Sequence, residues 1–194
     1  PIVEWNTDTG RMTKEVPIAG RQIADGDGPE EFEHQSFISP DNSLFAVNLN
    51  SRVEIRDFET GELRGKFEMP DKHRVVDLAW APDGKQFATI SADFVGTDAG
   101  ALLWETDRTD APLAILTGGG SLDHIEFSQN GEDLFIGQRI GNSVWRWSIP
   151  DDEVILVFDS VDQGHLQEMK LMGGDEQLLI SLDKTVHLMD VESG

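Results

Sequence analysis

The sequence predicts an all-β chain in which one four-stranded antiparallel unit recurs. The first observation is a strand ending, Asp57-x-x-Thr60-Gly61, with copies at Asn6-Thr7-Asp8-Thr9-Gly10 and Asp190-Val191-Glu192-Ser193-Gly194. In each, a polar residue and a glycine four positions later close a short extended run, as where a strand turns back on itself. The residue before that polar position sets a period: Trp5, Arg56, Trp104, Trp147 and Met189 stand 51, 48, 43 and 42 residues apart. A spacing of about 40–50 residues is that of propeller blades. The second observation is a polar turn inside each unit: Ser39-Pro40-Asp41-Asn42, Ala81-Pro82-Asp83-Gly84, Ser128-Gln129-Asn130-Gly131 and the degenerate Met172-Gly173-Gly174-Asp175. Proline presets a turn-compatible φ, and Asn, Asp or Gly tolerates the positive φ of a tight hairpin.

With strands A to D running outward from the axis of such a β-propeller, residues 1–16 open the chain as strands C (2–6) and D (12–16) of a first blade. Complete blades follow over 33–70, 74–117 and 121–159. Their strands are expected at 35–38, 44–48, 53–57 and 63–69, then 75–80, 86–91, 102–105 and 113–116, then 122–127, 134–138, 144–148 and 154–158. Residues 165–194 supply A, B and C of a last blade at 166–171, 178–181 and 186–190. Seventeen strands exceed the sixteen of a closed four-bladed ring, so the pattern predicts an incomplete propeller, about four blades of a larger ring. An open arrangement leaves exposed strand edges, hence a possible edge-to-edge self-association if the chain is not a fragment. Apolar residues fall at period two or in short runs, so no helix of consequence is expected.

The 194 residues are 38% apolar, enough for one domain with a core, and 37 acidic against 15 basic residues give a formal charge of -22. That charge disfavours nucleic acid and anionic membranes and favours a neutral or basic protein or peptide partner. There is no cysteine, so neither disulfides nor thiolate chemistry contributes and the compartment stays open. No stretch approaches the roughly 18 apolar residues of a membrane span.

The chain resembles the WD40-repeat family, of the divergent, bacterial type. The residues that carry the resemblance are Trp5-Asn6, Arg56-Asp57, Trp104-Glu105 and Met189-Asp190, the Pro-Asp-Gly type turns, and Gly164-His165. The resemblance implies a blade-bracing network of His, Ser or Thr, Asp and Trp. His73, Ser91, Asp93 and Trp104 hold such positions in the second blade, and His165, Ser181 and Asp183 in the last, where Met189 replaces the Trp. Asn50 and Arg139 stand where the other blades would have Asp.

His165, Ser181 and Asp183 are also the residue types of a hydrolase triad, but no Gly-x-Ser-x-Gly elbow surrounds the serine, and the bracing role accounts for them. His34, His73, His124, His165 and His187 are dispersed, with no pair at metal-ligand spacing, so no metal and no cofactor is expected. Asp25-Gly26-Asp27-Gly28 lacks the ligand alternation of a calcium loop, and Thr117-Gly118-Gly119-Gly120-Ser121 lacks the lysine of a phosphate loop and reads as a D-to-A turn. Two connections are long, 17–33 and 93–100, and carry the aromatics Phe32 and Phe94, candidates for partner contact. Four polar residues at one position of strand A, Gln35, Asp77, His124 and Glu168, alternate with apolar neighbours and are expected to face the channel. The family mainly assembles complexes, so the resemblance implies a non-catalytic protein-protein interaction scaffold. The alternative is the sensory or docking propeller of a longer enzyme, of kinase or protease type, with its catalytic domain outside this chain.

Overall fold

The structure, a computed structural model, describes residues 2–9, 11–16, 36–93, 98–117, 120–160 and 164–191. Over these residues the chain is a series of antiparallel meanders with a single 3-10 turn at Pro70–Lys72. Strands β1 (Ile2–Asn6) and β2 (Arg11–Val16) form a hairpin. The first four-stranded sheet is β3 (Ser36–Ile38), β4 (Leu44–Asn48), β5 (Arg52–Asp57) and β6 (Leu63–Glu68). The second is β7 (Arg74–Trp80), β8 (Gln86–Ala92), β9 (Ala99–Glu105) and β10 (Ala114–Thr117). The third is β11 (Leu122–Phe127), β12 (Asp133–Gln138), β13 (Ser143–Ser148) and β14 (Glu153–Asp159). A three-stranded sheet follows: β15 (Leu166–Met172), β16 (Gln177–Leu182) and β17 (Val186–Asp190). In every sheet the spatial order is the chain order, as short hairpin turns require.

The turn chemistry works as the residue types imply. Ser39 Oγ donates to Asp41 Oδ1 (2.7 Å) and accepts the Leu44 N–H (2.9 Å), with Asn42 at φ 58°. The third sheet repeats this: Ser128 Oγ donates to Asn130 Oδ1 (2.7 Å) and accepts the Asp133 N–H (2.9 Å). At the strand ending, Asp57 Oδ1 accepts the Thr60 N–H and hydroxyl, both at 2.9 Å, and Gly61 turns the chain at φ 74°. Arg64 donates to the other Asp57 oxygen at 2.6 Å, and that bond, with those from Thr60, holds the Asp57 carboxyl far below the usual range.

Successive sheets pack face to face, with inner strands β3, β7, β11 and β15 brought beside one another. Between the first and second sheets lie Ile55, Phe67, Met69, Leu78, Phe87 and Trp104, where Phe67 meets Phe87 (4.8 Å) and Trp104 (5.7 Å) edge-on. Ile90, Ala101, Leu103, Ile125, Ile136 and Trp147 fill the next layer, and Phe135, Val144, Leu166, Met169, Leu178 and Ile180 the last. Gly137 permits the close approach of the third and fourth sheets: a Cβ there would lie 2.5 Å from Leu166 Cδ2.

Strand C of the second sheet corrects the expectation. Instead of starting at residue 102, β9 begins at Ala99, and β8 continues to Ala92 opposite it, which shortens the 93–100 connection. The extension is built of Ala99, Gly100 and Ala101, residues without a strand signature that pair here because the surrounding layers bury them.

The first sheet departs from its neighbours chemically. Arg56 takes the place that Trp104 and Trp147 hold, each being the strand C residue opposite the second residue of strand B. It is buried, 7% exposed, with Glu54 (5% exposed) as partner on the same face at 2.7 Å, and it also donates to the Gly61 carbonyl (3.0 Å). Removing one member of a buried pair strands the other's charge, so Arg56→Ala should cost about 3–5 kcal/mol in urea unfolding. The double change Glu54→Leu/Arg56→Met should recover most of that loss.

Candidate functional site

Strand A carries a β-bulge in the second, third and fourth sheets, with Val76, Asp123 and Gln167 as the residues passed over in the pairing. A bulge breaks the two-residue alternation, so residues beyond it are re-aimed. Asp77, His124 and Glu168 follow the bulges, and alternation alone does not place them. Asp77 is half-buried and its carboxylate is engaged: Oδ1 accepts the Leu78 N–H (2.8 Å) and Oδ2 the Ile125 N–H of the neighbouring inner strand (3.0 Å). It works as a clamp between sheets. His124 is half-buried, its Cβ packed close to Gly137, and Glu168 is exposed. Gln35, Phe32 and Phe94 lie outside the described residues.

The same device recurs one sheet further on. Glu126 Oε2 accepts the Leu171 N–H (2.9 Å), and its other oxygen pairs with Lys170. Asp175 accepts the Gln129 N–H across the same junction. At the first junction each sheet supplies a side-chain donor: Asn48 Nδ2 donates to the Val75 carbonyl (3.1 Å) and Trp80 Nε1 to the Phe37 carbonyl (3.2 Å). These polar links went unpredicted; alternating acidic residues on strand A were the available signal.

The bracing positions are met differently from expectation. Trp104 Nε1 donates to Thr89 Oγ1 (3.0 Å), not to Ser91, because Thr89 lies on the same face of β8 two residues earlier. Ser91 is buried opposite Val75, His73 caps the 3-10 turn through its backbone N–H to Pro70, and Asp93 accepts the Asp98 N–H (3.3 Å). In the last sheet His165 and Asp183 do meet, through the backbone: the His165 N–H donates to Asp183 Oδ2 (2.9 Å), and Gln167 donates to Oδ1 (2.6 Å). These bonds, His165 first, lower the Asp183 pKa. The carboxylate therefore holds a main-chain amide, and the imidazole-to-carboxylate bond that orients a triad base is replaced. Ser181 pairs with Glu168 and Val186 in the sheet.

Among the described residues no group of three or more His, Asp or Glu side chains has the arrangement of a metal site, and no helix is long and apolar enough to cross a membrane. Two depressions stand out by their lining. A polar one of about 570 Å³ lies among the turns of the third and fourth sheets, where Arg146 faces Asp133 at 3.9 Å and Asp175 and Glu176 approach. Burial pushes the Asp133 carboxyl up, partly offset by Arg146. The other, about 240 Å³, is an apolar cleft between the second and third sheets lined by Leu116, Leu122, Ile136, Trp145 and Val154. Large aliphatic side chains of β14 are exposed beside it, Val154 and Leu156.

No protein-family model matches this chain, and no curated protein does. Solved structures do. Kuenenia stuttgartiensis hydrazine synthase is similar over 81% of this chain with a TM-score of 0.69 and 14% identity. At that identity the likeness is one of fold. The chain spans about half, 52%, of the hydrazine synthase chain.

Asp77 makes the clamp testable through pH. Burial raises its carboxyl above the ordinary 3.8, so the folded state binds the proton more tightly than the unfolded one. Its contribution is fully present below the ordinary value and is lost as pH rises through the window up to the raised value. Asp77→Asn should flatten the stability profile in that window, measured by urea unfolding at successive pH values. Asp77→Ala, which strands the Ile125 N–H, should cost about 1–3 kcal/mol.

Proposed function

We propose that the chain is a run of WD40-like β-propeller blades serving as a non-catalytic scaffold for a neutral or basic protein or peptide. The observation that supports this most directly is the distribution of side chains. Carboxylates of the inner strands, Asp77 and Glu126, are engaged in holding neighbouring sheets, whereas exposed aliphatic residues, Ile115, Val154 and Leu156, lie on the outer strands. Apolar surface with a polar surround is what protein interfaces bury. A formal charge of -22 adds long-range attraction for basic partners and repels nucleic acid and anionic lipid.

The second reading, a docking propeller within a longer enzyme, draws support from hydrazine synthase, where a similar fold occupies part of a longer chain of a protein that is an enzyme by name. Cross-linking mass spectrometry on the protein in its native source separates the two. A scaffold should give cross-links from lysines such as Lys66 and Lys85 to a different polypeptide, weakening as ionic strength rises. Cross-links confined to a catalytic domain of the same polypeptide would select the second reading, and none to any protein would overturn both.

A further inference from the structure

We propose that the apolar cleft between the second and third sheets is a docking site for a basic protein segment that inserts one large apolar side chain, of the phenylalanine type. The proposal deepens the scaffold reading and rests on it.

Three junctions between sheets can be compared position by position. At each, one residue of the outer strand stands opposite an equivalent strand C residue: Phe67 opposite Val53, Leu116 opposite Ala101 and Phe158 opposite Val144. In the first junction Phe67 is 0% exposed and plugs the wedge between sheets against Phe87 and Trp104. In the third, Phe158 packs on His187 with ring centroids 5.4 Å apart. The middle junction has the smaller Leu116, half-buried as Phe158 is but without an aromatic ring to fill the space. Two residues beyond Phe67, Met69 adds to the filling of the first junction, buried with the Thr89 hydroxyl 3.7 Å from its sulfur. The cavity of about 240 Å³ is the volume left where its neighbours carry larger side chains.

The cleft is preorganised. Trp145, its broadest wall, is held by its Nε1 donating to Ser143 Oγ (3.2 Å), which in turn donates to Gln138 Oε1 (2.8 Å). Gln138 is seated over Gly120, where a Cβ would lie 1.9 Å from Nε2. The amide thus closes one end while the walls stay apolar. Directly across from Trp145, Leu156 is 45% exposed and widens the apolar mouth.

Size and charge select the occupant. Pockets for drug-sized ligands run to about 300–1,000 Å³, so this one suits a single anchoring side chain. Aromatic anchors seated in preformed pockets dominate protein interfaces. Exposed Asp159 sits at the end of β14 opposite Ser143, the residue that holds Trp145, and with the overall charge it favours lysine and arginine flanking the anchor.

The test is titration calorimetry of the whole chain with a synthetic lysine-rich peptide carrying one central phenylalanine. Binding is expected, and replacing that phenylalanine by alanine in the peptide should weaken it at least about tenfold. Leu116→Phe, which fills the cleft as Phe67 fills its own, should weaken binding of the original peptide by a similar factor. Leu156→Lys at the exposed mouth should do the same without shifting the unfolding midpoint, so a folding defect in the first variant leaves the test intact. Equal affinity for the phenylalanine and alanine peptides, wild-type affinity in both variants, or no binding would each overturn the proposal. So would a self-association of the chain abolished by Leu116→Phe, which assigns the cleft to a second copy. Cross-links to a partner protein that persist in Leu116→Phe overturn this site and leave the scaffold reading standing, whereas loss of all intermolecular cross-links in the unaltered protein removes the scaffold reading itself.

Discussion

Each complete interior sheet of this protein is apolar on both faces, and the remainder of the architecture follows from having to cover both. In the second sheet, Phe87, Leu102 and Trp104 face the first sheet while Ile90, Ala101 and Leu103 face the third. The third sheet likewise divides its core between Ile136 and Trp147 on one side and Phe135 and Val144 on the other. A sheet of this kind has no solvent face, so it is stable only between neighbours, and stacking proceeds one sheet at a time along the chain. Strand twist then brings inner strands together and parts the outer ones, so the outer end of every junction is a wedge whose filling depends on side-chain volume. Phe67, fully buried, fills the first; beside the smaller Leu116 a cleft of about 240 Å³ remains.

The inner strands face a different demand. Each pairs with a sheet partner along one edge and presents the main-chain groups of the other, which need acceptors and donors of their own. Carboxylates meet part of that need: Asp77 takes the Ile125 N–H and Glu126 the Leu171 N–H. Asp41, Asp57 and Asp183 serve turns and strand ends in the same manner. The acidity of the chain is therefore not wholly a surface property. Some of it is the set of acceptors that a fold made of turns and free edges requires, and the rest is left to act at long range on partners.

Most strand positions were legible because their determinants are local. Turn residues such as Pro40-Asp41-Asn42 and Asp57-x-x-Thr60-Gly61 act within four or five positions, and the structure shows their side chains bonding the adjacent backbone. The small residues of β9 carried no such signal, since what makes Ala99-Gly100-Ala101 a strand is burial between layers. The bulges were overlooked although they leave a mark: buried apolar residues spaced by three rather than two, Val75 and Leu78, Leu122 and Ile125, Leu166 and Met169. Strict alternation carried no sign that the Asp77 carboxylate holds the Ile125 N–H of the neighbouring strand. Trp104 bonds Thr89, which lies on the same face of β8 as Ser91 two residues earlier.

By itself the sequence determined the repeat, the meander within each unit and the turn chemistry, because each depends on dihedral preferences and hydrogen bonds between near neighbours in the chain. Only the tertiary structure decided which carboxylates clamp adjacent sheets, that Arg56 and Glu54 replace a buried tryptophan as an ion pair, and which of three equivalent wedges stays open. The clamps turn on polar groups meeting across 48 positions for Asp77 with Ile125 and 45 for Glu126 with Leu171, where no local pattern states the partner; the ion pair and the open wedge turn on burial and side-chain volume, which the packing of sheets sets.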